Sequence, residues 1–304
     1  MNSCQQTIVN YKKKLLIITG LYTLQNNLYD YANYVTFTGN GTITFNADVV
    51  VNILIVGGGG AGGPGGSATS SGAGGGGAGG VGYGTFNAIA GTLYTITVGL
   101  GGVGSETSGT YNGNGKNGSQ TRLVGGIVNI TANGGGGGGG QSLNGTPKYT
   151  GSPGSSSGGN FVDSTNVPPT TSVGSASNAN IVYNTSQNGG RGRSNVGGGG
   201  GGGSSTPGGT TSNLNKTGGN GGNGTVWPLN NVTYAGGGGG GGGGGDGISG
   251  VGGSGGGGAG GPPNSTKGGD ATVNSGSGGG AGRYALATTG GSGGSGVVIL
   301  AFNI

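Results

Sequence analysis

The side chains able to do acid–base, nucleophilic or metal chemistry are few in this chain. There is no histidine, which removes the commonest general base and most metal sites. Glu106, Asp163, Asp246 and Asp270 stand alone beside glycine or small polar residues. A glycosidase needs two carboxyls about 5–10 Å apart, and nothing in the spacing pairs these four, so they read as solvated loop carboxylates. Cys4 is the one cysteine, and no disulfide forms within the chain. Gly99-Leu-Gly-Gly-Val-Gly104 follows a strand and fits a dinucleotide fingerprint, but turn-forming residues come next instead of a helix and an acidic residue. Arg191-Gly-Arg193 is the only hint of a nucleic-acid segment, in a chain with four arginines. These residues predict no enzyme, no cofactor and no metal. The aromatics Tyr149, Phe161, Tyr183, Trp227, Tyr234 and Tyr284 fall between glycine runs, outside the expected strands. Amphipathic rings anchor recognition surfaces, so these six are the candidate receptor- or partner-binding residues. The alternative is that they cover the glycine part as a substitute core.

What must position these residues is unusual. Glycine makes up 93 of 304 residues, in runs such as Gly57–Gly66, Gly72–Gly84, Gly134–Gly140, Gly197–Gly203, Gly236–Gly245 and Gly276–Gly282. A glycine run has no side chain to bury against the roughly 1–2 kcal/mol that ordering each residue costs. It is therefore disordered or held by backbone hydrogen bonds. The apolar share is 29% and charged residues are 6%. Disordered chains usually carry high net charge; this one has +5, and its only basic cluster is Lys12–Lys14. That leaves no broad footprint for nucleic acid. No apolar stretch approaches the roughly 18 residues that cross a bilayer. Residues 12–24 read as a β-strand in preference to a secretory signal. Asn-X-Ser/Thr sequons, as at Asn40, Asn117, Asn184, Asn231 and Asn264, are frequent enough to arise by chance.

Both ends of the chain read as β-structure. Tyr34–Thr38 and Thr42–Phe45 alternate around Gly39-Asn40-Gly41, which predicts a hairpin. Val49–Val56 and Val297–Phe302 are apolar on both faces and predict covered strands that pair with each other. Tyr94–Val98 and Ile127–Thr131 are further strands. Since the ends must meet, the intervening runs are expected to be ordered. They suit the left-handed polyproline-II type of helix, three residues per turn and about 3.1 Å per residue, so that Gly236–Gly245 would span about 31 Å. Helix is disfavoured by about 1 kcal/mol per glycine. Ala61, Ala73, Ala78, Val251, Ala259 and Ala281 would mark lattice edges or contacts with the β part.

The ordered succession of Val35–Phe45, Asn52–Gly63, Leu93–Gly102 and Gly290–Phe302 resembles the glycine-rich domain of viral proteins, of the phage tail-fibre and giant-virus type. It is also similar to the polyglycine-II sandwich of phage adhesins and to the glycine-rich region of a receptor kinase ectodomain. The resemblance covers about residues 34–304. It implies a mainly β fold without α-helix: a small β-sandwich framework from residues 34–56, 84–98, 119–131 and 297–302, joined to a hydrogen-bonded bundle of polyglycine-II helices. Residues 1–33 are an unmatched leader, an attachment segment or an added strand. The implied function is a viral structural surface protein, a rigid fibre or fibre tip on the virion surface that binds a host-surface glycan or protein. The alternatives are a virion-decorating protein that binds other virion or fibre proteins, and an ice-binding protein. A homo-oligomer or docking on a multimeric fibre is compatible with each.

Overall fold

The computed structural model describes residues 7–11, 14–66, 72–104, 113–140, 150–161, 169–211, 216–244, 246–262, 265, 267–283 and 288–304. Among them there is no helix; the elements are thirteen strands and the runs between them. In chain order the strands are β1 Thr7–Tyr11, β2 Lys14–Leu28, β3 Tyr31–Thr44, β4 Val49–Val56, β5 Val81–Ala88, β6 Leu93–Thr97, β7 Thr121–Gly125, β8 Val128–Ala132, β9 Gly174–Ser177, β10 Ala179–Tyr183, β11 Thr225–Trp227, β12 Val232–Tyr234 and β13 Val297–Phe302.

Eleven strands form one sheet in the order β10-β5-β4-β13-β3-β6-β7-β8-β9, with β2 on β3 and β1 on β2. The sheet is nearly closed, because the successive strands β9 and β10 are its two ends. β13 pairs antiparallel with β4, Val297 opposite Val56 and Phe302 opposite Val51, as the two apolar segments predict. Period-two alternation splits both strands between two cores. Val51, Ile53, Ile55, Val298, Leu300 and Phe302 face inward, where Phe45 meets Phe302 edge-on at 5.0 Å. Leu54, Val56, Val297 and Ile299 face outward and are covered by the β11–β12 hairpin. Covering on both faces explains why neither strand alternates with polar residues.

The predicted hairpin at Gly39-Asn40-Gly41 is instead a corner within the single strand β3. Its first arm, Asn33–Phe37, lies beside β13, and its second, Gly41–Thr44, beside β6. Each arm gains a better-buried partner than the other arm would be. β2 follows β3 around the corner through a bulge at Gly20, whose φ of 103° is open to glycine. Asn40 Oδ1 accepts the Val98 N–H at 2.9 Å, filling the gap where the neighbouring strand changes. Residues 14–28 of the unmatched leader are thus a strand of the sheet.

The glycine runs leave the sheet at the ends of β4, β6, β8 and β10 and return through β5, β7, β9 and β13. Successive N–H groups along one run point to different neighbours. Gly57, Gly60 and Gly63 donate to Gly80, Gly77 and Gly74; Gly58 and Ala61 to Ser119 and Lys116; Gly59 and Gly62 to Gly294 and Gly291. The direction of bonding repeats every third residue. The run 72–80 donates to 139, 199 and 279 through Gly74, Gly75 and Gly76, and accepts from Gly60, Gly159 and Gly238, so six runs surround it. A Cβ at most interior glycines would press on a neighbour's carbonyl, at Gly240 on that of Gly198.

Inner and outer runs obey different sequence rules. Inner runs are buried and mostly glycine: Gly197–Gly203 is pure, whereas 57–66 and 72–80 hold alanines and 154–161 holds Ser155, Ser156, Ser157 and Asn160. Outer runs carry an outward side chain at every third position: Leu100 and Val103, Asn220 and Asn223, Ile248, Val251 and Ser254, Lys267, Asp270 and Val273, with Ser249 and Ala271 turned inward between them. Asn220 and Asn223 accept the N–H groups of Val251 and Ser254, binding adjacent columns together. Val251 and Ala259 are therefore edge positions. Ala78 contacts the outer core, and Ala73 and Ala281 form the seat of Phe161. Ala61 is buried within its run.

Two expectations follow. Gly240→Val should destabilise by at least about 3 kcal/mol, since it overpacks a buried contact and strands hydrogen-bonding groups, while Val251→Ala stays within about 0.5 kcal/mol; chemical denaturation compares them. Leu100→Gly with Val103→Gly should bare an outer run to a second lattice, as an unguarded edge strand is bared. Sedimentation velocity should then report self-association that rises with concentration.

Candidate functional site

The bond register divides the turns between runs into two sets. One set, including Ser204–Pro207, Gly224–Ala235 and Thr272–Ser275, lies against the sheet: Ser204 donates to Ala235 O, and Ala235 to Ser275 O. The other lies at the far end of the bundle, in the layer where Gly63 meets Gly74, Gly198 meets Gly241 and Gly282 meets Gly63. This free end is the tip.

The tip turns bring exposed charge together. Arg191 and Arg193 flank buried Gly192 and are themselves exposed. Thr211 donates to Arg191 O, Gly197 bridges both Arg193 and Gly242, and Gly243 donates to Lys216 O. Arg191, Arg193 and Lys216 thus share one corner of the tip, with Asp246 on the adjoining turn. Lys267 pairs with Asp270 at 2.6 Å, a half-exposed pair of small energetic weight. Burial alone would raise the Asp270 carboxyl, but Lys267 and the Ser292 N–H outweigh it and hold it below the usual range. Among the described residues no acidic, histidine or cysteine side chains group as metal ligands. Glu106 and Asp163 lie outside the described residues. The Gly99–Gly104 segment is an outer run whose backbone serves the lattice: Gly102 donates to Gly59, and Gly99 and Gly102 accept from Gly296 and Gly293. The Asn184 side chain ties β5 to the run beyond β10, accepting from Val81 N–H and donating to Ser204 O, and Asn117 donates to Pro153 O.

Of the six aromatics singled out by position, Tyr149 and Tyr284 lie outside the described residues. Phe161 is 1% exposed and closes the lattice near the tip against Ala73 and Ala281. Trp227 and Tyr234 are on the β11–β12 hairpin, buried in the outer core, with Trp227 6.3 Å from Tyr34. One amide serves two rings there: Asn230 Nδ2 donates to Tyr34 Oη at 3.1 Å and Tyr234 Oη at 3.0 Å. Tyr183 ends β10 and spans the seam of the sheet, its hydroxyl donating toward Thr131 O at 2.9 Å and Ser175 O at 2.7 Å. These four rings join parts of the fold, and the tip and its cations are the exposed chemistry. Sequence reasoning passed over β9–β12 because they are short; the β-branched and aromatic residues of Thr225–Trp227 and the alternation in Val232–Tyr234 were the available signal.

Burial pushes the Tyr183 and Tyr34 hydroxyls up to about 12 and raises Tyr234 in the same direction. A group whose folded pKa lies above its unfolded value favours folding below the unfolded pKa, near 10 for tyrosine, and loses that contribution as pH rises through the folded pKa. Stability should therefore fall between about pH 10 and 12. Tyr183→Phe should cost about 1–2 kcal/mol at neutral pH through its lost seam bonds and make the alkaline fall shallower, read from denaturation midpoints across that range.

A comparison with curated proteins finds no match. The model of a family described as the glycine-rich domain matches residues 36–303, from the first arm of β3 to the end of β13. The chain belongs to that glycine-rich domain family.

Proposed function

We propose that the chain is a viral structural surface protein, a rigid fibre or fibre-tip module of the virion that attaches to a host-surface glycan or protein. In this reading the runs are polyglycine-II helices standing on a small β-sandwich base. The three-residue repeat of bonding directions supports the helices. The approach of β4 to β7 and β8 across the inner core supports the base. The observation that carries the function is the distribution of side chains. The side chains buried in the bundle are mostly small and bonded or packed against its own runs, whereas the tip turns expose Arg191, Arg193, Lys216 and Asp246. A lattice held by backbone bonds tolerates any sequence at its turns, which suits a scaffold that displays variable recognition chemistry. The reading needs no enzyme activity, cofactor or nucleic acid. A virion-decorating protein would use the same tip toward virion partners. Ice binding fits less well, since the outward columns mix Lys267 and Asp270 with Leu100 and Ile248.

The test exchanges tip residues without touching the lattice. Thr150–Asn160 lie in the bundle and Asn180–Tyr183 in β10, so the exchange is confined to Arg191 and Arg193–Val196, with buried Gly192 kept, together with Lys216 and Asp246. Gly or Ser at these positions should leave the melting temperature within a few degrees and abolish attachment to host cells. Loss of binding to purified virions in their place would favour the decorating role. Full attachment to both by a folded variant would remove the tip from consideration.

A further inference from the structure

A cavity of about 500 Å³ opens in the sheet at the end away from the glycine tip, beside the last residues of β5, the turn into β10 and the β7–β8 turn. Thr85, Asn87, Asn178 and Asn180 line it with Ile89 and Ile127, and with Phe86, Val128 and Ala179 from the inner-core side. The antiparallel register sets Asn180 opposite Thr85 and Ala179 opposite Phe86. Phe86 belongs to the inner core and Ala179 packs against that core, while Thr85, Asn87 and Asn180 alternate to the opposite face, so the cavity takes its lining from both faces of these strand ends. Asn178, with φ 53°, donates from Nδ2 to Ile127 O at 2.7 Å and fixes the rim. Among the described residues, the side chains of Thr85, Asn87 and Asn180 have no hydrogen-bond partner. Ile127 is 72% and Ile89 47% exposed. Among the described residues no charged side chain lines this cavity. Asp48 lines an adjoining hollow that shares Asn87 and Ile89, and its Oδ1 already accepts the Ala90 N–H.

We infer that this cavity binds a neutral glycan. An amide offers a donor and an acceptor from one side chain, and cross-strand neighbours stand about 5 Å apart, the scale on which hydroxyls are spread around a sugar ring. The two isoleucines give an apolar surface for the C–H face of the ring. A charged ligand would find no counter-charge. A purely apolar one would leave the amides unpaired on desolvation, a cost that sites of this kind turn into selectivity. The volume lies within the usual range for small-ligand sites and suits one or two rings. The inference does not depend on the tip reading, because the two sites occupy opposite ends of the molecule.

The test is a titration of the full chain with neutral gluco-, galacto- and manno-oligosaccharides, alongside an array that includes sialylated and sulfated glycans. The expected result is binding of a neutral oligosaccharide, weakened at least tenfold by Asn87→Ala with Asn180→Ala, and unchanged when Arg191 and Arg193–Val196 are exchanged. Ile127→Lys, on a turn outside every strand ladder, is the second variant should the double change disturb β5–β10, and it should also weaken binding. No binding of any neutral glycan by the wild-type chain overturns the inference. So does binding that survives both variants, or binding confined to acidic glycans.

Discussion

Close approach of backbones is the constraint on which this structure depends. Hydrogen bonds between runs of 2.7–3.1 Å, such as Gly77 to Gly136 and Ala73 to Gly282, bring the chains together with nothing between them. Only glycine leaves room for this on every side, since a Cβ would meet a carbonyl of the next run. The energetic source therefore differs from that of an ordinary domain. Apolar burial, at about 25 cal/mol per Å², operates in the sheet and at its junction with the bundle. Within the bundle, buried N–H and C=O groups must find one another or lie unpaired at about 1–3 kcal/mol each. That penalty makes the lattice specific: a run shifted by one residue aims its bonds at the wrong neighbours.

Side chains tie only a few runs of such a lattice to one another, as Ser156 donates to Gly203 O and Ser157 accepts from Gly189 N–H, and the sheet anchors its register. Thr121 is a joint of this kind, its hydroxyl donating to Val56 O at 2.7 Å and accepting from Gly99 N–H at 2.9 Å. It locks β7, the exit of β4 and the start of an outer run in one place. The β11–β12 hairpin is another, with Trp227 and Tyr234 packing against Leu54, Val56 and Ala78. Rings that a glycine lattice cannot hold inside thus serve where it meets the sheet.

Legibility followed burial pattern. Val49–Val56 and Val297–Phe302 were readable as partners because segments apolar on both faces have few alternatives. Gly39-Asn40-Gly41 misled because a turn signal states that the chain bends, not which strands flank the bend; β13 and β6, distant in sequence, decide that. The burial of Trp227 and Tyr234 was not readable, since an aromatic between glycine runs has the same local sequence whether it caps a core or stands on a loop. The division into inner and outer runs was written plainly, as Asn220-Gly-Gly-Asn223 against Gly197–Gly203, but its meaning needs the neighbours.

The two rules together explain how a chain with 6% charged residues can separate its chemistry so sharply. Interior positions admit glycine, an occasional alanine, or a side chain whose polar atoms bond the neighbouring runs, as those of Ser156, Ser157 and Asn160 do, and outward thirds admit anything that stops another run from docking. Unconstrained positions remain only at the turns and on the open end of the sheet. Arg191, Arg193 and Lys216 occupy the first, and the amides of Asn87, Asn178 and Asn180 the second. A cationic end and a neutral amide-lined end follow from the one packing requirement, because the polar side chains held in the lattice between them are engaged in bonds to its own runs.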